Sequence, residues 1–228
     1  MVLFKNTDRE IDMVSDKIKN IILDAAESLI IQNGFYATSI RQITAKAKTN
    51  IAAINYHFGS KEELMKAMIS RRLIPVNEER LAYLDKVLKK AEKECRAPDH
   101  TEIVKAFFEP VMKRILQDRS FNKYFYEFII WRDTAPNHPF RNHYISIINE
   151  VIDKFVNALS LAFPDSSQQE NNRGFFFSIG VMAYGAILIR ESQKAQSLVA
   201  EYYGEFDFDK TFDYILKYIS SGLEIVRQ

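Results

Sequence analysis

The sequence predicts an all-α fold. Apolar residues recur at helical three- and four-residue spacings along nearly the whole chain, no stretch alternates apolar and polar residues over a useful strand length, and only 7 glycines and 6 prolines punctuate 228 residues. Hydrophobic residues at 47% and charged residues at 27% are ordinary for a globular protein and argue against extended disorder. No internal repeat is visible.

The first helix is expected from Ser15 as N-cap, after an N-terminal arm over 1–14. Ile18, Ile21, Ile22, Ala25, Leu29 and Ile30 form its apolar stripe, and Asn33-Gly34 closes it, because glycine takes the left-handed conformation readily. A short second helix starts at Thr38 or Ser39, turns Ile40 and Ile43 inward and runs to about Ala47. A third starts at Thr49 or Asn50, carries Ile51 and Ile54, and ends near Phe58. Two short helices so closely linked, over about 39–58, make a helix-turn-helix pattern. Ser60 and Glu63 spell a capping box for a fourth helix that reaches Arg71-Arg72. Pro75 should break the pattern and mark the boundary between a small unit, 15–74, and a larger one, 75–228. The latter reads as helices at roughly 77–94, 101–117, 120–134, 139–163, 168–198 and 208–226.

Charge is unevenly placed. Between Tyr36 and Arg72, Arg41, Lys46, Lys48, Lys61, Lys66, Arg71 and Arg72 face only Glu62 and Glu63, a local balance of +5 in a chain of net charge +1. Such a segment points to phosphate backbones, since steering depends on the local field. A solvated face with no partner would carry the same charges. The single Cys95 permits no internal disulfide, and MVLFKNTDRE lacks the apolar core of a secretion signal, so a cytoplasmic protein is expected. The longest apolar stretch, Phe175 to Ile189, is fifteen residues, short of the about 20 that a bilayer span needs. A helix buried on most sides explains it better, and no membrane partner is expected.

The stretch 49–64, TNIAAINYHFGSKEEL, suits a helix entering a major groove, which needs small or polar residues at the bases and phosphate-reaching neighbours. Ala52 and Ala53 let the backbone approach closely. Asn55 can pair with a base edge, most naturally adenine. The Tyr56 hydroxyl and His57 imidazole suit phosphate oxygens. Lys61 lies in the first turn of the fourth helix, whose free amides favour an anion. Thr38 and Ser39, with Arg41, can act likewise at the second helix, and Lys48, Thr49 and Asn50 occupy the turn. Each has a plainer reading: Tyr56 half-buried between helices, Thr38 and Asn50 as caps, Lys61 as an ordinary surface residue.

Taken together, NGFYATSIRQITAKA followed by NIAAINYHFGSKEELMKAM resembles the DNA-binding domain of the TetR family of transcriptional regulators, over about 16–72. Gly34, Phe35, Ala37, Thr38, Ile43, Ala47, Ile54, Tyr56, His57, Phe58, Ser60, Lys61, Glu62 and Leu64 fit the family pattern. Three departures stand out: Lys48 replaces the usual turn glycine, Asn55 stands where an aromatic is frequent, and Ile51-Ala52 stand where a basic residue and glycine are common. They should change which bases are read.

The resemblance implies that the C-terminal part binds a small-molecule effector and forms a homodimer through two late helices. Phe107, Phe108, Tyr124, Phe125, Phe128, Trp131, Phe177 and Tyr184 are its candidate pocket residues, favouring a mainly apolar or aromatic effector. Glu127, Arg132 and Arg190 could fix a polar end. Val181, Ala183, Phe212, Ile215, Ile219 and Leu223 are candidate dimer contacts, with Gly180, Ala183 and Gly185 permitting close approach. The expected function is a ligand-responsive DNA-binding regulator, most naturally a repressor. A helical adaptor that uses the helix-turn-helix for protein contacts is the alternative. No cofactor or metal is expected: Asp133, His138 and His143 make only a loose set, and Cys95 has no neighbouring histidine in sequence, so an enzyme is not expected.

Overall fold

The structure is a computed structural model, and it describes residues 4–118, 140–192, 201–202 and 207–225. Among the described residues the regular elements are all helices: α1 (Phe4–Asn33), α2 (Ile40–Ala47), α3 (Ile51–Phe58), α4 (Lys61–Lys93), α5 (His100–Gln117), α6 (Arg141–Ala162), α7 (Gln168–Ser192) and α8 (Phe208–Ile225). They fall into two compact units. The first holds residues 4–74 and 140–145, the second 75–118 and 146–225 as far as described.

Unit one is built on local signals. α1 begins at Phe4, well before Ser15, because residues 4–14 contain neither glycine nor proline and a serine is tolerated inside a helix. The expected arm is therefore helical from Phe4. Gly34, at φ 81°, ends α1 with its N–H on the Ile30 carbonyl, 2.8 Å away. Ser39 is the N-cap of α2: its hydroxyl accepts from the Gln42 N–H at 3.2 Å, and the Gln42 side chain accepts from the Ser39 N–H at 2.7 Å. Asn50 caps α3 by accepting from the Ala53 N–H at 2.9 Å, and Gly59 closes that helix at φ 80°. α1 packs on α2 and α2 on α3, around a core that includes Ile22, Ile30, Ile43, Ile54, Leu64 and Met68.

Pro75 does not end the fourth helix. α4 runs unbroken from Lys61 to Lys93 with Pro75 inside it, merging two expected helices. The ring faces solvent, and Leu73 and Val76 on either side are buried, so apolar packing offsets the missing backbone bond. Residues 140–145 dock in unit one: the Phe140 ring is buried edge-on to Phe35, centroids 4.5 Å apart, and His143 Nε2 lies 2.9 Å from Ser70 Oγ and 3.1 Å from the Lys66 carbonyl oxygen.

Unit two has an aromatic core. Phe107 of α5 meets Phe108, Phe155 of α6 and Phe175 of α7 edge-on, at centroid distances of 5.1, 5.0 and 4.8 Å. Phe107 and Phe108, expected in an effector pocket, are buried, each under 5% exposed. α8 packs on α7 and α5. Its apolar stripe, Phe212, Ile215, Ile219 and Leu223, expected at a subunit boundary, is buried within this unit. The close approach at Gly185 is also internal, since a Cβ there would lie 2.5 Å from the Ile215 side chain. Gly180 meets open space, and Val181 and Ala183 are half-buried.

α7 is long and apolar enough, between Gln168 and Ile189, to cross a membrane by length and composition alone. It is buried on one side only, through Phe175, Ile179, Met182, Ala186 and Ile189, and leaves Phe176, Phe177 and Tyr184 exposed. Of these, Phe177 and Tyr184 are both expected in a pocket; both are exposed, and Phe177 lines a cleft. Between α7 and α8 lies a mainly apolar cleft of about 380 Å³, lined by Phe177, Val181, Tyr218, Ile219 and Leu223 with Arg173 among its polar residues. The remaining pocket candidates, Tyr124, Phe125, Phe128 and Trp131, lie outside the described residues. So do Glu127, Arg132, Asp133, His138, the Arg190 side chain and the expected 120–134 helix.

Candidate nucleic-acid interface

The side chains of α3 sort into rows one helical turn apart. Ile54 and Phe58 point into the core of unit one. The outward rows are Ile51 with Asn55, Ala52 with Tyr56, and Ala53 with His57, each pair at i, i+4 and so adjacent on the surface. Tyr56 is 82% exposed, which removes the half-buried reading, and its ring meets His57 edge-on at 5.0 Å. Asn55 and Ala52 are exposed, whereas Ala53 and His57 are half-buried. Ile51, read in sequence as a companion of Ile54, is 46% exposed and belongs to the outward set.

The turn before α3 presents Lys48, Thr49 and Asn50. Lys48 keeps the left-handed geometry of the usual glycine, at φ 51° and ψ 44°, and its side chain is exposed. Ser39 and Arg41 are exposed at the start of α2. Thr38 is not: it is 1% exposed, and its hydroxyl donates to the Gly34 carbonyl at 2.8 Å, stapling the α1–α2 turn from within. Its side chain is removed from the outward set.

Lys61 also turns inward. Its Nζ donates to the Phe35 carbonyl at 3.0 Å and lies 4.2 Å from the Phe35 ring centroid, a cation–π contact that ties the start of α4 to the α1–α2 turn. Burial lowers the ammonium's pKa from its ordinary value, with Glu62 opposing. Others of the seven basic residues are engaged as well. Lys46 donates to Ser28 Oγ at 2.7 Å, Lys66 pairs with Glu63 at 2.6 Å, and Arg71 and Arg72 converge on the buried carboxylate of Glu27. Arg41 and Lys48 remain the prominent exposed cations near α3. Sequence reasoning missed Glu27 and Tyr36. The former is a carboxylate on an otherwise apolar helix face, a usable signal. The latter, 75% exposed in the α1–α2 turn, has none.

This arrangement has relatives. Residues 22–68 match the profile of the bacterial regulatory proteins of the tetR family. Over 52 residues the chain is 40% identical to a Bacillus subtilis (strain 168) protein named a probable HTH-type transcriptional regulator, YttP, covering 23% of this chain and 25% of that one. Over 54 residues it is 39% identical to the HTH-type transcriptional repressor Rv3405c of Mycobacterium tuberculosis (strain ATCC 25618 / H37Rv), covering 24% and 29%. The match thus spans about a quarter of the length of these curated relatives. The whole fold resembles a solved Pseudomonas aeruginosa PAO1 protein assigned as a transcriptional regulator, at TM-score 0.59 and 15% identity over 91% of this chain and 90% of that one. It also resembles HlyIIR, a hemolysin II transcriptional regulator, at TM-score 0.50 and 16% identity over 91% and 97%. Residues 22–68 thus carry the helix-turn-helix DNA-binding segment of the tetR family of bacterial regulatory proteins, within an all-α chain.

Proposed function

We propose that the protein is a cytoplasmic, homodimeric, sequence-specific DNA-binding transcriptional regulator, a repressor released from its operator by a small, mainly apolar or aromatic effector. The observation that carries this reading is the outward surface of α3, where small and polar side chains and a fully presented tyrosine stand next to exposed Lys48 and Arg41. In the proposed complex α3 enters the major groove, Asn55 reads a base, and Tyr56, His57, Ser39, Thr49 and the capped amides of α2 meet phosphates. Lys61 acts there by holding Phe35 and the α1–α2 turn, and reaches a phosphate only by leaving that contact. Two subunits would place their α3 helices about 34 Å apart or a multiple of that. An effector that favours a different separation lowers DNA affinity by its own preference between the two states.

The outer face of α7 and α8 supports pairing of two copies. Phe177 and Tyr184 of α7 and Tyr214 and Tyr218 of α8 are each more than 60% exposed, an aromatic surface of the kind that marks an interaction site. The second copy would then cover the cleft beside them. The domain division proposed is DNA binding by 15–74 and effector binding and pairing by 75–228.

The test is a binding selection from genomic fragments with the purified chain, followed by affinity measurements across salt concentrations. An enriched sequence whose affinity falls steeply with salt supports the reading. Tyr56→Phe should weaken all sequences alike, by about fivefold for one lost hydrogen bond. Absence of any sequence preference would sink it, and a salt-independent protein partner in place of DNA would favour the adaptor.

A further inference from the structure

We infer that α3 reads an A·T-rich half-site, with Ile51 packing on a thymine methyl group beside an adenine paired by Asn55. The inference rests on the DNA-binding reading above and gives that site its base chemistry.

The argument starts from what the outward rows contain. Residues 51–58 include no lysine or arginine, the side chains that most often read guanine through O6 and N7. The bidentate group on the outer rows of α3 is the Asn55 amide, which matches adenine N6 and N7. Gln42, exposed on α2 and equally able to pair with adenine, is committed to the Ser39 cap through its Oε1. Alongside Asn55, one turn earlier, stands Ile51, a branched aliphatic side chain left 46% exposed while Ile54 is fully buried. Ala52 adds a methyl group in the next row and no polar atom. In the major groove the one apolar feature of a base edge is the thymine C5-methyl, and apolar side chains are its partners. Ile51 and Asn55 lie about 6 Å apart along the helix, between one and two base-pair steps of about 3.4 Å. The methyl-bearing thymine therefore belongs within two steps of the adenine.

The full-length chain is used to select binders from random duplexes, and each thymine of the enriched half-site is then replaced by deoxyuridine. That change removes the methyl group and leaves pairing and charge intact. At one thymine the wild-type protein should lose about fourfold in affinity, the value for one buried methyl-sized group. Ile51→Ala should bind the thymine duplex about fourfold more weakly and show no further loss with deoxyuridine, whereas Ile51→Val should keep most of the sensitivity. Asn55→Ala should relax preference at one A·T pair within two steps. Thermal unfolding of each variant checks that the half-exposed site tolerates the change. Guanine–cytosine pairs fixed at the α3 positions, or a deoxyuridine penalty equal in wild type and Ile51→Ala, overturn this inference alone. Failure to enrich any sequence overturns the DNA-binding reading with it.

Discussion

The two halves of α4 handle arginine in different ways. In unit one, Arg71 and Arg72 close on Glu27, whose side chain is 5% exposed: Arg71 Nε lies 3.2 Å and Arg72 Nε 3.1 Å from Glu27 Oε1, and Arg71 Nη1 donates to Asp24 at 2.8 Å. In unit two, Arg80 is buried with its guanidinium 3.9 Å over the Phe107 ring, its Nε donating to the Phe107 carbonyl at 2.7 Å and its Nη1 to Asn77 Oδ1 at 3.1 Å. Asn77 in turn donates to the Ile147 carbonyl at 3.1 Å, so this one cluster joins α4, α5 and α6. The first half is anchored on α1 by charge neutralisation. The second uses a ring face and backbone acceptors, which suits a planar, weakly hydrated cation.

This contrast is open to breaking at either end. The largest effect is expected from Phe107→Ala, which empties the centre of the four-ring cluster and strips the face from Arg80. Truncating a buried phenylalanine costs about 3–5 kcal/mol, and urea denaturation followed by circular dichroism should register a loss of that size. Hydrogen exchange should place the lost protection in α5, α6 and α7. Glu27→Ala should come next, at about 3 kcal/mol, because it leaves two guanidiniums facing a carboxylate-sized void. Both arginines keep some solvent contact, which holds the cost to the low end for a broken buried pair. Here the exchange should rise in α1 and the first half of α4. Equal losses of protection in both units for both variants would mean that the two anchors are not separate.

Legibility in the sequence follows the range of the interactions. Both short helices, the Ser39 and Asn50 caps and the glycine closures are set by residues within four positions of one another, and they read directly. The Glu27 ion cluster spans about 45 positions, so Arg71 and Arg72 counted as free charge near the helix-turn-helix when they are internally engaged. Periodicity also leaves undecided which of two apolar stripes on one helix turns inward. On α7 and α8 the burial could not be read from spacing alone: Phe212, Ile215, Ile219 and Leu223 are buried within the unit, while Phe177 and Tyr184 are exposed. Pro75 illustrates a third limit, since a breaker's local cost is overridden when buried neighbours on both sides hold the helix.

The smallest effect comes from Lys48, and it separates two properties of unit one that Glu27→Ala changes together: backbone stability and surface charge. A non-glycine residue in the left-handed region costs about 1 kcal/mol, so Lys48→Gly should stabilise unit one by up to that amount. A rise of roughly 2–4 °C in Tm would match it for a chain of this size. If the exposed ammonium meets a phosphate in the proposed complex, the same variant should bind DNA more weakly at low salt, with a log–log salt slope shallower by about 0.9. Lys48→Asn serves as the control, because asparagine tolerates the left-handed region yet carries no charge. Both variants should share the shallower slope, and glycine should give the greater gain in stability. An unchanged slope in both would mean that the Lys48 ammonium meets no phosphate, leaving exposed Arg41 as the cation to test next.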